Sequence, residues 1–116
     1  MKIKTSGYYL SEPFHWIDWH ASIKFEGNNF YILKFENNKC YFDSVSELKD
    51  ISIENLANKE NYGIYKINDA VLEILYNANT EFEVFRKFTI ITPELLLDEN
   101  LKEYKHIDNS NYYHLP

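Results

Sequence analysis

Glu81-Phe82-Glu83-Val84-Phe85-Arg86-Lys87-Phe88-Thr89-Ile90 is the stretch on which the fold turns. Its even positions Phe82, Val84, Phe88 and Ile90 are apolar, with Arg86 set among them. The odd positions open on Glu81 and Glu83 and include Lys87 and Thr89. Side chains alternate between the two faces of a strand, so this period of two predicts a strand with one face in a core and one in water. Pro93 interrupts the ladder, because it has no N–H to donate.

Working outward, the same grammar repeats: a short apolar run, then an Asn-rich polar cluster. Towards the C-terminus, Glu94 to Leu97 and Leu101 to Ile107 read as strands around Asp98-Glu99-Asn100. Towards the N-terminus, Asn77-Ala78-Asn79-Thr80 reads as a turn, preceded by a hairpin of Ile64 to Ile67 and Val71 to Tyr76 about Asn68-Asp69-Ala70. A second hairpin joins Phe30 to Phe35 and Cys40 to Val45 through Glu36-Asn37-Asn38-Lys39, since Asn tolerates the positive φ of tight turns. Glu26-Gly27-Asn28-Asn29 carries the same turn chemistry. Gly7 to Leu10 reads as a first strand. Phe14, Ile17 and Ala21 share a helical face, so a short helical turn is expected after Pro13. Ser46 to Glu60 reads as one short helix or an ordered loop, and residues 109–116 as a loose tail.

Six to eight short strands with turn signals about ten residues apart predict a mainly β chain, an antiparallel meander forming one domain over residues 1–116. Such a sheet hides its edges by closing into a barrel or half-barrel, with a sandwich as the alternative. The chain has the material for one core: 45% of its 116 residues are apolar and 17% aromatic, with ten Tyr and eight Phe. A single cysteine, Cys40, excludes an intrachain disulfide and a multi-cysteine zinc site, and suits a reducing cytoplasm. No apolar run approaches the ~20 residues of a spanning helix. The start, Met1 to Ser6, lacks the apolar stretch of a secretory signal, so a cytoplasmic location is expected. The net charge of −6 opposes binding to nucleic acid or anionic lipid and permits steering towards a basic protein.

Tyr62-Gly63-Ile64-Tyr65-Lys66-Ile67-Asn68-Asp69, Val71-Leu72-Glu73-Ile74 and Ile91-Thr92-Pro93-Glu94-Leu95-Leu96-Leu97-Asp98 together resemble small lipocalin-like, calycin-type bacterial β-barrel proteins. Gly7-Tyr8-Tyr9-Leu10 would open such a barrel, with Tyr9 where lipocalins with enclosed cavities carry Trp. The resemblance covers about half the chain. It implies a small barrel and a tendency to bind rather than catalyse, and it carries over no functional residues.

The residues themselves offer few chemical constellations. His15-Trp16-Ile17-Asp18-Trp19-His20 has two imidazoles and a carboxylate, ligand types that suit zinc. Neither a helix nor a strand brings all three together, so no metal or other cofactor is expected, and Trp16 and Trp19 are read as a plug over the barrel mouth. His106 and His114 are expected as separate surface groups. Arg86, the only arginine, faces the predicted core. A buried charge needs a partner, so the strand twists or bulges there, Arg86 pairs with an internal Glu or Asp, or it clamps an anionic ligand, with Trp16 and Trp19 as further candidate ligand residues. Cys40 begins a strand beside Tyr41 and Phe42 and reads as a small buried hydrophobe rather than a nucleophile.

No Gly-rich phosphate loop, nucleophile elbow or zinc-protease helix is present, so the chain is expected not to be an enzyme. Its small size, acidity and surplus Tyr and Trp point to a protein-binding inhibitor or immunity-type module that neutralises a basic partner. Glu94, Asp98, Glu99 and Glu103 are the expected docking acids. An Asn/Lys/Ile-rich composition fits a low-GC bacterial source. The alternative is a lipocalin-like carrier of a small apolar or anionic ligand.

Overall fold

In the computed structural model, which describes residues 2–51, 62–77 and 79–108, nine strands run in chain order. They are β1 (Tyr8–Ser11), β2 (Phe14–His20), β3 (Ile23–Glu36), β4 (Lys39–Val45), β5 (Tyr62–Asn68), β6 (Val71–Tyr76), β7 (Val84–Thr92), β8 (Leu95–Asp98) and β9 (Glu103–Ile107). Sequential neighbours pair antiparallel from β2 to β9, and β1 then pairs with both β9 and β3. All strands but β2 thus close into an eight-stranded antiparallel barrel, consistent with a small lipocalin-like barrel. Closure leaves the barrel wall without a free edge.

The turns explain the order. Asn37 and Asn38 both take positive φ, as a two-residue hairpin turn demands, and Asp69 does the same between β5 and β6. The β6–β7 connection is longer: the Thr80 N–H donates to the Asn77 carbonyl, and the Asn79 N–H to the Glu83 carboxylate. Phe82 therefore sits in the turn and is exposed, so the strand expected from Phe82 begins at Val84.

The period-two pattern places Leu72, Ile74, Phe88, Ile90 and Leu96 inside, where they are buried with Tyr9, Leu33, Phe35, Cys40 and Tyr104. Edge-to-face ring pairs, Tyr9 with Phe35 at 5.6 Å and Phe88 with Tyr104 at 5.2 Å, fill the interior. A second, smaller core lies outside the barrel wall. There Tyr8, Ile32 and Ile51 are covered by the segment carrying a 3₁₀ turn at Leu48–Asp50. That turn is the single helical element among the described residues; the expected continuation of this segment through residue 60 lies largely outside them, as does the tail 109–116.

The largest departure from expectation is at residues 14–29. No helical turn follows Pro13, and Glu26 to Asn29 do not turn. They belong to a hairpin in which Phe14 pairs with Asn29, Trp16 with Gly27, Asp18 with Phe25 and His20 with Ile23. The turn is instead made by Ala21 and Ser22, at φ of 50° and 68°. Gly27 is needed for contact: the Trp16 ring lies across it, and a Cβ there would come within 2.9 Å of the indole.

Two outcomes follow for stability. Ile74→Ala, which empties a fully buried site, is expected to lower the unfolding free energy by about 2–5 kcal/mol in denaturant titration, whereas Trp19→Ala should change it by about 0.5 kcal/mol or less. Because Ala and Ser hold left-handed backbone at a cost of roughly 1–2 kcal/mol per residue, Ala21→Asn with Ser22→Gly should slow amide exchange of β2 about five- to thirtyfold. Unchanged exchange would mean that the hairpin does not turn at these residues.

Candidate functional site

The lower half of β3 pairs with β1 and β4, but among the described strands residues 23–29 pair with β2 alone. The β2–β3 hairpin therefore leaves the barrel as a two-stranded arm of seven paired rows, roughly 23 Å long at ~3.3 Å per residue. Its base is built by three residues. The Ser11 hydroxyl accepts the Tyr31 N–H at 2.8 Å, where β3 parts from β1. The Glu12 N–H donates to the Glu103 carbonyl at 2.8 Å, and the Glu12 carboxylate accepts the Glu103 N–H at 2.9 Å. Pro13 then turns the chain out of the wall. The Glu103 N–H, and secondarily Lys102 at 3.4 Å, hold the Glu12 carboxyl below its ordinary value.

Opposite residues in an antiparallel pair share a face, so the register sorts the arm's side chains. One face carries Phe14, Trp16, Phe25 and Ile23, with a 2.8 Å Asp18–His20 pair and the His20 ring 5.6 Å from Phe25. The other carries Ile17 and Trp19 beside His15, Lys24 and Glu26, the last joined to His15 at 3.3 Å and to Lys24 at 3.2 Å. Trp16 is 43% exposed, Trp19 61% and Phe25 48%. Together with Ile17 and Ile23 they present on the order of 500 Å² of apolar surface, divided between the two faces of the arm.

β3 continues without interruption from arm to barrel, so the first face runs on into the barrel's inner wall. A row of rings follows it: Phe14 against Tyr31 at 4.8 Å, Tyr31 stacked on Phe42 at 5.7 Å, and Phe42 against Tyr76 at 6.1 Å. Gly63 lets the Tyr76 ring lie across β5. Arg86 follows on β7, its guanidinium 5.6 Å from the Phe88 ring.

Arg86 lies on the inner face, as its place among the apolar even positions predicts. Trp16 is on the arm face continuous with that wall, while Trp19 is on the opposite face. The two indoles thus form no common plug over the mouth: a strand, unlike a helix, sends residues three apart to opposite sides. The four acids do not form one docking face. Asp98 is buried, its Oδ1 accepting the Asn100 and Lys102 N–H groups of the β8–β9 turn at 2.8 and 2.9 Å. Glu94 is at the other end of β8, paired with Lys4 at 3.2 Å. Glu99 accepts the Lys87 N–H, and Glu103 is tied to Glu12 through its backbone.

Among the described residues no group of three or more His, Cys, Asp or Glu could hold a metal ion. His106 contacts the Ser6 carbonyl at 2.6 Å and packs on Tyr9; His114 lies outside the described residues. Cys40 is fully buried, 3.5 Å from the Tyr76 hydroxyl, and burial pushes its thiol up to about 12, which keeps it protonated and poorly nucleophilic. No described helix is long and apolar enough to cross a membrane. A second exposed apolar feature, a shallow groove of about 260 Å³ on the outer wall, is lined by Ile64, Leu75 and Phe85.

The exposed arm was hidden to pattern reading because Trp, Ile and Phe carry the same signal in a core and on an interface. No protein-family model matches the chain, and neither a curated protein nor a solved structure matches it.

A carboxyl whose folded pKa lies below its ordinary 4.5 stabilises the fold above that value and loses the contribution as pH falls through the folded pKa. Glu12→Gln should therefore unfold at lower denaturant than the parent protein at pH 7, with the two midpoints converging below the ordinary carboxylate range. A gap that persists in acid would show that Glu12 acts by shape rather than charge.

Proposed function

We propose that this chain is a noncatalytic protein-binding module of the inhibitor or immunity type, whose β2–β3 arm enters a cleft on a basic partner. The observation that carries the reading is that the arm exposes large apolar side chains on both of its faces, outside the core. A flat surface would cover Trp16 and Phe25 or Ile17 and Trp19, but not both sets; a cleft covers both. Trp is a frequent hot-spot residue, and two on a short ribbon supply large contact area at little entropic cost.

The charge divides the labour. The arm's charged side chains are satisfied within the arm, so it contributes shape and apolar area. The −6 of the whole chain supplies long-range steering towards a positive surface. The lipocalin-like pattern of Tyr62 to Asp98 is compatible with this reading, since a barrel filled by its own side chains is a rigid base for a projecting element. The cytoplasm, with its reducing conditions, is the proposed location of a chain whose one thiol is buried.

The test is gentle purification of the tagged protein from its host, with native mass spectrometry of what accompanies it. The expected result is a stoichiometric basic protein, released at high salt and absent from a Trp16→Ala/Trp19→Ala variant whose thermal midpoint is unchanged. A partner retained by that variant, or an acidic partner indifferent to salt, would overturn the proposal.

A further inference from the structure

Arg86 stands apart among the charges at the arm end of the barrel. Lys102, whose ammonium lies 5.3 Å from the Phe14 ring, is paired with Glu12. Arg86 has no described carboxylate within the 4.0 Å of an ion pair. Asp98, the nearest acid on the inner face by strand order, gives its Oδ1 to two backbone N–H groups. What surrounds the guanidinium is aromatic: Phe88 beneath it, Tyr104 packed edge-on against Phe88, and Tyr76 on the neighbouring strand.

The mouth is also accessible. Phe14, Tyr31, Phe42, Tyr76 and Arg86 all keep partial exposure, whereas Cys40, Ile74, Phe88 and Tyr104, one step deeper, are buried. The described residues here thus set a partly exposed aromatic rim above a buried floor, and the inner face is prolonged on one side by the arm face bearing Trp16. A guanidinium beside apolar walls loses part of its hydration, and no described carboxylate pairs with it to offset that loss. Its planar fork matches a carboxylate, and flat rings match the aromatic rim.

We propose that the arm-side mouth of the barrel is a binding subsite for a small aromatic carboxylate, with Arg86 taking the carboxylate and the Phe14–Tyr31–Phe42–Tyr76 rim holding the ring. The site is shallow, because the side chains of the floor fill the interior. It is independent of the protein-binding reading, which rests on the arm rather than on Arg86, and either can fail alone.

The experiment is an NMR titration of the ¹⁵N-labelled protein with 2-naphthoate and with its neutral relative 2-naphthamide, repeated on Arg86→Gln and Arg86→Lys. The expected result is a dissociation constant of about 1 mM or tighter for naphthoate, with shifts at the Arg86 Nε–H and the rim amides. Naphthamide should bind about ten- to a hundredfold more weakly. Arg86→Gln should abolish the preference for the acid, and Arg86→Lys, which keeps the charge without the fork, should retain part of it. Equal affinity for acid and amide, no naphthoate response in the parent protein, or a preference untouched by Arg86→Gln would each overturn the proposal. Should Arg86→Gln lose its dispersed spectrum, the comparison of acid with amide on the parent protein decides alone.

Discussion

The architecture depends on one short strand that hydrogen-bonds on both sides. β1, only Tyr8 to Ser11, pairs with β9 through all four residues and with β3 through Tyr9 and Leu10. Without it the remaining barrel strands would be an open, curled sheet with two bare edges. Its side chains secure both surfaces of the wall: Tyr9 enters the inner core and Tyr8 the outer one. The Tyr9 hydroxyl also donates to the Pro93 carbonyl at 2.6 Å and accepts the Lys4 N–H at 2.8 Å, tying the N-terminal segment to the β7–β8 turn.

Because β1 is four residues long and β3 is fourteen, closure uses only part of β3. The excess must go somewhere. Glu12 and Pro13 send the chain outward, β2 returns along the surplus of β3, and the arm is the geometric remainder of the closure. The barrel core therefore needs nothing from the arm. That separation lets the arm carry large apolar residues which, in the wall of the barrel, would be constrained by packing.

Much of this was legible in the residues. The alternation at Val84 to Ile90 marked the inner face of β7, including Arg86. Val71 to Tyr76 could be read as a strand to its ends because Asn and Asp bracket it, and Asn37-Asn38 announced their turn. The arm was not legible, for physical reasons that can be named. Ala21 and Ser22 adopt positive φ without being residues that favour it, so nothing local marks the turn, while Gly27-Asn28-Asn29 favours a turn that strand pairing with Phe14 to Trp16 overrides. Phe14, Ile17 and Ala21 fit a helical face by spacing alone. Asp98 looked like a surface acid and is a turn cap, a difference decided by the backbone N–H groups of Asn100 and Lys102.

The central claim, that an independent closed barrel carries a projecting arm its core does not need, is tested most directly by removing the arm. Phe14 and Asn29 are paired neighbours, so residues 15–28 can be replaced by Asn-Gly to close a short hairpin. The account predicts a cooperatively unfolding barrel whose stability, measured in denaturant, stays within about 1 kcal/mol of the parent protein. An arm-less chain that fails to fold, or that loses several times that amount, would contradict it and make the arm part of the core.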